Sequence, residues 1–115
     1  TNQNLVGYLK LNIGKSQSEP FDDHWIEIER IYVDSNDQNK GVGSRTIDFV
    51  KHYAQHLRKT HIWLGVWDQN PKAIRFYERM GFQSTGNHIF KFGNEDQIDI
   101  IMELELVNSN ASNIF

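Results

Sequence analysis

The sequence contains no cysteine, only two prolines and no long hydrophobic run among its 115 residues. Without cysteine the chain forms no disulfide, carries no thiol nucleophile and offers no thiolate to a metal. No run approaches the roughly 20 apolar residues that a membrane-spanning helix needs, and the first residues lack a signal-peptide core. These absences favour a cytoplasmic protein that has no membrane partner.

An excess of basic charge is also missing. Lys and Arg total 12 and Asp and Glu total 15, which gives a formal charge of −3 with histidine neutral. Proteins that bind nucleic acid usually carry a basic patch, so we expect no nucleic-acid partner. The length fits a single domain. We assign that domain to residues 1–107 and expect the small polar tail, residues 108–115, to be disordered.

Alternating and helical hydrophobic patterns follow one another along the chain. Strands are predicted at residues 5–13, 25–33, 61–67, 82–91 and 97–106, and helices at residues 42–59 and 71–80. The resulting order is β, β, α, β, α, β, β. Strands that alternate with helices indicate the α/β (α+β) class, with a mixed sheet covered by helices.

Both helices carry recognisable signals. In the first, Ile47, Val50, Ala54 and Leu57 recur at helical spacing and predict the buried face. The second follows Asn70, a preferred N-cap residue, with proline at its first position. Gly81 comes where a left-handed C-terminal cap belongs.

A short glycine pattern, Gly41-x-Gly43, lies between a polar loop and the first helix. Helix N-termini offer unpaired N–H groups and the positive end of a dipole to an anion, and glycine lets the backbone approach it closely. The pattern is not a Walker A loop, and Thr46 stands where a dinucleotide fingerprint needs a small residue. On these residues alone, a plain turn and an anion site are about equally favoured.

Three motifs in the expected order resemble the GNAT superfamily of N-acetyltransferases. Gln38-Asn39-Lys40-Gly41-Val42-Gly43 resembles the pyrophosphate loop of that family. Ile31-Tyr32-Val33 resembles the strand that pairs with pantetheine, and Asn70-x-x-Ala73-x-x-Phe76-Tyr77-x-x-x-Gly81-Phe82 resembles the second signature. The resemblance implies a mixed, mostly antiparallel sheet, acetyl-CoA as cosubstrate, direct transfer and no metal. The coenzyme A residues that it implies are Ile31, Tyr32, Val33, Gln38, Asn39, Lys40, Gly41, Val42, Gly43, Ser44, Arg45, Asn70 and Tyr77.

Further positions are similar to the PaiA-type polyamine acetyltransferases. They include Thr85-Gly86-x-His88-x-Phe90, Gln97 and Asp99-x-Ile101-Met102. This resemblance implies a primary amine acceptor, a polyamine such as spermidine or spermine. The family carries an N-terminal strand and two helices before the segment that begins here at Leu5, so we expect the domain to be N-terminally incomplete.

Acetyl transfer to an amine needs a group that takes the amine's proton. A primary alkylamine has a pKa near 10.4, so only about one molecule in a thousand is neutral at pH 7. Glu27 and Glu29 are two residues apart and share one face of a strand. The resemblance implies that Glu29 is the base, and we expect Glu27 to assist it or to hold a second ammonium. The alternative is that both simply face solvent.

The leaving thiolate needs a proton or hydrogen-bond donor, and the developing oxyanion needs backbone N–H groups. The resemblance implies that Tyr77 donates to the sulfur and that N–H groups around residues 31–33 hold the oxyanion. The alternative for Tyr77 is a core aromatic at helical spacing from Ala73.

Other functions are compatible with the same residues. The acceptor could be a protein or peptide amine, or the chain could be a regulatory module that binds coenzyme A without turnover. An interaction protein would bind no coenzyme A. The strand at residues 5–13 would form an exposed sheet edge, which predicts a homodimer. His52 and His56 are one helical turn apart, but no third ligand is near them in sequence, and we interpret them as surface histidines.

Overall fold

In the described part of the chain, five strands and two helices follow one another in the order predicted. A computed structural model describes residues 7–18, 22–33 and 41–106. The elements are β1 (Gly7–Ile13), a 3-10 turn (Gly14–Ser16), β2 (Trp25–Val33), α1 (Val42–His56), β3 (His61–Trp67), α2 (Pro71–Arg79), β4 (Gln83–Phe92) and β5 (Glu95–Glu105). The predicted bounds of the second and third strands are confirmed. The predictions for residues 34–40 and for the tail lie outside the described residues.

The strands form one mixed sheet in the spatial order β1-β2-β3-β5-β4. Only β2 and β3 are parallel, and the other three neighbouring pairs are antiparallel. The α1 helix connects the two parallel strands, as a parallel pair requires a crossover. The predicted mixed, mostly antiparallel sheet flanked by helices is therefore confirmed.

The first helix ends earlier than predicted. It stops at His56 rather than at Lys59, because Arg58 adopts a positive φ of 61°. The N–H of Arg58 donates to the carbonyl of Gln55, and the N–H of Lys59 donates to that of Ala54. These two bonds satisfy the last carbonyls of the helix in a Schellman arrangement with arginine at the usual glycine position.

The second helix is capped at both ends as predicted, and only its last residue differs. Asn70 Oδ1 accepts a hydrogen bond from the Ala73 N–H at 3.2 Å. Gly81 has a φ of 103° and its N–H donates to Glu78, while the N–H of Phe82 donates to Tyr77. Phe82 thus belongs to the cap, which is why β4 begins one residue later than predicted. The β4 and β5 strands extend closer to their connecting turn than predicted, so β4 runs to Phe92 and β5 starts at Glu95.

One face of the sheet packs against both helices and forms the core. Three residues of the predicted helical stripe, Ile47, Val50 and Ala54, are fully buried. The fourth, Leu57, follows the helix as its C-cap and packs on this core only partly buried. It packs with apolar residues of the sheet and of the second helix. The buried members of this cluster are Ile26, Ile28, Ile47, Val50, Ala54, Ile62, Leu64, Val66, Tyr77, Phe82 and Met102. Alternation along β2 and β3 supplies the sheet side of this core.

The opposite face of the sheet carries buried polar groups. Asn12, Gln17 and Glu27 are all buried there, and Trp63 of β3 is only 2% exposed. The indole N–H of Trp63 donates to Gln17 Oε1 at 2.7 Å, which ties the central strand to the segment after β1. Buried polar groups need such partners, and this face therefore holds a polar cluster rather than a second apolar core.

Neither α1 nor α2 has the length and apolar content of a transmembrane helix, and this holds for the whole described part of the chain.

Candidate functional site

The parallel strands β2 and β3 separate halfway along their length. They pair in register from Trp25 and His61 to Ile28 and Leu64. Both strands then continue, to Val33 and Trp67, with no further register pair between them in the described residues. The separated halves leave backbone groups and side chains facing a cleft, which sequence patterns alone do not reveal.

A β-bulge in β2 lies at the start of this separation. Leu11 of β1 is opposite Ile28, but the next pair joins Lys10 to Arg30. Glu29 is therefore an extra residue in β2. A bulge of this kind reverses the alternation of side chains, and accordingly Ile28 and Ile31, three residues apart, both pack on the core.

The larger cavity occupies the space between the separated strands and has a volume of about 380 Å³. Its walls are the second half of β2, the second half of β3 and the first turns of α2. The lining residues are Tyr8, Ile28, Glu29, Arg30, Ile31, Tyr32, Leu64, Gly65, Val66, Trp67, Asn70, Ala73 and Tyr77. Five predicted site residues thus meet here from two distant parts of the sequence: Glu29, Ile31, Tyr32, Asn70 and Tyr77.

A smaller pocket of about 160 Å³ adjoins it on the polar face of the sheet. Its lining contains three carboxylates, from Glu27, Glu29 and Asp99. The full set is Ser18, Glu27, Ile28, Glu29, Trp63, Gly65, Asp99 and Ile101. Ile28, Glu29 and Gly65 line both cavities, so the two spaces meet at the bulge.

Glu27 is the buried member of the predicted carboxylate pair, with 4% of its surface exposed. Its Oε1 accepts hydrogen bonds from Asn12 Nδ2 at 2.9 Å and from the backbone N–H of Ser18 at 2.7 Å. It does not line the larger cavity. The interpretation that both glutamates simply face solvent is wrong for Glu27.

Glu29 lies at the junction, with 26% of its side chain exposed. Asn12 Nδ2 donates to its Oε1 at 2.8 Å, and Lys10 Nζ lies 3.2 Å from the same oxygen. The hydrogen bond from Asn12, followed by that from Lys10 and the nearby charge of Arg30, lowers the pKa of Glu29 below its ordinary value. Glu29 is therefore ionised at neutral pH.

Tyr77 lines the larger cavity while its ring lies in the core, 8% exposed. It packs edge-to-face against Phe76 and Phe82 at ring-centre distances of 5.3 and 5.7 Å. Burial raises the pKa of Tyr77 to about 12. The interpretation of Tyr77 as a core aromatic is therefore confirmed, while its role as a donor to the sulfur stays a prediction.

The first turn of α1 contains the described part of the predicted phosphate loop. Gly41, the residue before the helix, has a φ of 76°, which favours glycine. Gly43 is required for a different reason: a Cβ there would lie 3.2 Å from Phe76 Cζ. Arg45 bonds back to the Gly41 carbonyl through its N–H at 3.1 Å. Gln38, Asn39 and Lys40 lie outside the described residues, while Val42 and Ser44 complete this turn.

Sequence reasoning missed two residues that the fold brings to the junction. Gly65 is exposed in the middle of a central strand, and a Cβ there would lie 3.4 Å from Asp99 Oδ2. Its available signal was a glycine within an otherwise apolar strand. Asn12 carries no such signal. Trp67, for which the sequence favours core packing or a wall for the cofactor, is 48% exposed on the wall of the larger cavity.

Within the described ranges, no three His, Asp or Glu side chains come together in a way that could hold a metal ion. His52 and His56 are both exposed on α1, as the sequence interpretation proposed. Lys72 and Arg79, two further cations that the sequence offers as candidates for the phosphates of coenzyme A, are exposed on α2 and line neither cavity.

The chain is similar in sequence to known N-acetyltransferases. An uncharacterized N-acetyltransferase of Lactobacillus delbrueckii subsp. lactis is 35% identical over 103 residues, covering 90% of this chain and 60% of the relative. The spermine/spermidine N(1)-acetyltransferase of Bacillus subtilis is 29% identical over 83 residues, covering 71% of this chain and 55% of that protein.

Among solved structures, the spermidine/spermine N-acetyltransferase SpeG of Vibrio cholerae matches with a TM-score of 0.72 and 26% identity. That match covers 97% of this chain and 62% of the other. The chain thus spans no more than 62% of the length of these three proteins. The acetyltransferase (GNAT) family profile matches residues 1–82. The chain belongs to this acetyltransferase (GNAT) family, and the resemblance read from its three motifs is confirmed.

Proposed function

We propose that the chain is the core of an acetyl-CoA-dependent N-acetyltransferase that transfers an acetyl group directly to a primary amine, a polyamine such as spermidine or spermine. The observation that carries the proposal is the position of Glu29 at the junction of two cavities. A direct transfer needs one space for the acyl donor, another for the amine, and a proton acceptor where they meet.

The larger cavity fits the acyl donor. Its walls include β2 and β3 beyond Ile28 and Leu64, where no parallel register pair occupies the backbone groups that face the cleft. An extended amide-containing arm, such as the pantetheine of coenzyme A, matches such groups. Asn70 and Tyr77 supply polar atoms to the same wall, and acetyl-CoA would bring the acetyl thioester to it.

The turn that begins α1 adjoins this wall through Phe76. Gly43 of that turn packs against Phe76 of α2. Ala73 and Tyr77, which neighbour Phe76 in that helix, line the larger cavity. The N-terminal N–H groups of α1, with Arg45 nearby, would hold the diphosphate. We propose Gln38, Asn39 and Lys40 as the rest of that loop.

The smaller pocket fits a cationic acceptor. Three carboxylates line it. Asn12 donates hydrogen bonds to both Glu27 and Glu29, and the bond to Glu29 lowers the pKa of that carboxyl. Each ammonium of a polyamine would find a negative partner, and a second ammonium would bind at Glu27 or Asp99. Polyamine acetylation by the named relatives of Bacillus subtilis and Vibrio cholerae supports this acceptor class.

We assign to Glu29 the role of accepting the amine's proton. Because its pKa is lowered, it is a weaker base than an ordinary glutamate but is always a carboxylate at neutral pH. It therefore holds the amine nitrogen by a hydrogen bond and takes the proton as the new N–C bond forms, when the nitrogen becomes more acidic. Glu27, which does not reach the larger cavity, assists by charge.

Tyr77 is the group that we assign to the leaving sulfur. A hydroxyl with a pKa of about 12 keeps its proton against a thiolate with a pKa of about 8.5. Tyr77 therefore stabilises the thiolate by donating a hydrogen bond rather than by giving up its proton. Backbone N–H groups in residues 31–33 are the proposed partners of the developing oxyanion.

Two measurements test the proposal. Calorimetry with coenzyme A measures donor binding, and an assay with acetyl-CoA measures acetylation of spermidine against butylamine, which has one amine. We expect micromolar-range binding, as for typical enzyme substrates, and preferred acetylation of spermidine. Glu29→Gln should lower kcat by at least about a hundredfold, whereas the matched change Glu95→Gln on the exposed hairpin should not.

The outcomes separate the alternatives. Binding of coenzyme A without acetylation of any amine would favour a regulatory module, and acetylation of peptide amines alone would favour a protein acetyltransferase. Absence of coenzyme A binding would contradict both. The domain bounds 1–107, the cytoplasmic location and a homodimer through β1, an edge strand of the described sheet, stay predictions.

A further inference from the structure

Asn12 is a buried amide on an edge strand, 5% exposed and directly opposite Glu27 in the β1–β2 ladder. Its Nδ2 lies 2.9 Å from Glu27 Oε1 and 2.8 Å from Glu29 Oε1. An amide nitrogen carries two hydrogens, so each carboxylate receives one. A single neutral group thus joins the two carboxylates, which would otherwise repel each other.

The alternation of side chains along β2 makes this double contact geometrically available. Asn12 pairs with Glu27, and Glu29 follows two residues along β2 as the extra residue of the bulge, beyond Leu11 in the β1–β2 register. Glu29 therefore lies on the same face as Glu27, within reach of the same amide. A one-residue change in register would turn Asn12 to the other face of the sheet and break both contacts.

Other charged and titratable groups surround the pair. From β1, Lys10 contacts Glu29, and from β2, Arg30 Nε lies 3.6 Å from Glu29 Oε2. From β5, Asp99 lines the same small pocket, and Tyr77 of α2 lines the larger cavity with Glu29. Lys10 is 58% exposed along its side chain, so solvent screens its charge more than it screens the hydrogen bond from Asn12.

We propose that Asn12 is a positioning residue, whose amide holds the carboxylates of Glu27 and Glu29 side by side and orients Glu29 at the junction of the cavities. This inference rests on the proposed function, because Glu29 must take part in acetyl transfer for its orientation to matter. The inference adds a residue that none of the three motifs contains.

The substitution Asn12→Asp tests this role, since it keeps the shape but replaces the donor by a third carboxylate. We expect the titration midpoint of the Glu29 carboxyl, followed by carbon NMR and assigned with Glu29→Gln, to rise. The matched change Asn87→Asp, on the exposed β4 strand, should leave the midpoint unchanged. If Asn12→Asp does not fold, Asn12→Ala removes the same bonds without adding charge and should shift the midpoint in the same direction.

A double-mutant cycle links the titration to catalysis. Asn12→Asp should lower kcat for spermidine at least about tenfold, and adding it to Glu29→Gln should lower kcat no further, because both changes remove the same function. Additive losses, or an unshifted midpoint beside an impaired Glu29→Gln, would overturn the inference alone. A fully active Glu29→Gln would overturn both the role proposed for Glu29 and the positioning by Asn12.

Discussion

Ile28 and Leu64 form the last register pair of the parallel ladder, and both lie in the core beneath the cleft. Each is almost fully buried, at 3% and 2% exposure, so the point where β2 and β3 separate is anchored by packing. Past this pair the ladder gives way to the larger cavity. The packing of two apolar side chains therefore determines where the cleft begins.

Hydrogen exchange should report this boundary directly. We expect the amides of residues 29–33 that do not pair with β1 to exchange faster than those of residues 25–28, because the ladder with β3 ends at Ile28. Coenzyme A should slow their exchange, since it would replace the missing strand partner. Mass spectrometry of deuterated peptides, with and without coenzyme A, makes the comparison, and unchanged exchange in this segment would contradict the proposed donor site.

Replacing Tyr77 by phenylalanine separates its two roles. The ring contacts with Phe76 and Phe82 remain, so stability should change little. Loss of a hydrogen bond to a charged sulfur costs about 1.5–3 kcal/mol, and kcat should fall about ten- to hundredfold. Tyr53→Phe, at an exposed position on α1, provides the control. An unaltered kcat in Tyr77→Phe would leave this residue as a core aromatic only.

Alkaline pH should destabilise the protein through the same hydroxyl. The pKa of Tyr77 is about 12 in the folded state and near 10 when unfolded. The unfolded chain therefore loses this proton first, and the free energy of unfolding falls as pH rises from 10 to 12, by about 2 kcal/mol in total. Denaturant unfolding across this range should show the fall in the wild type, and Tyr77→Phe should lose less stability over the same interval.

Gly43 is predicted to be essential for packing between the two helices. An added Cβ would lie 3.2 Å from Phe76 Cζ, and overpacking of this kind costs about 1–3 kcal/mol. This outweighs the gain of up to about 1 kcal/mol from replacing glycine by alanine in a helix. Gly43→Ala should therefore lower the melting temperature, whereas Gly86→Ala, with nothing within 4 Å, should not. If Gly43→Ala melted at the same temperature as the wild type, α2 would be shown to shift away from the added Cβ without loss of stability.

Local patterns in the sequence were sufficient to predict the elements. The runs at residues 25–33 and 61–67 are rich in branched and aromatic residues, and Asn70-Pro71 and Gly81 mark the ends of α2 through their own backbone preferences. The end of α1 was predicted wrongly because Arg58, rather than glycine, takes the positive φ there. Nothing in its side chain signals that conformation.

Some features of the candidate site follow from local sequence, and others depend on the fold. Local sequence was enough to predict that Glu27 and Glu29 share a strand, that Asn70 caps a helix and that Tyr77 lies on its apolar side, because each property depends on neighbours a few residues away. The three-dimensional fold was needed to show that the β1–β2 register brings Asn12 to both carboxylates and that Gly65 and Asp99 join them. It also determined that β2 and β3 separate after Ile28 and Leu64. These features depend on the register between strands that are distant in the chain, and that register is set by packing of the whole sheet against its helices.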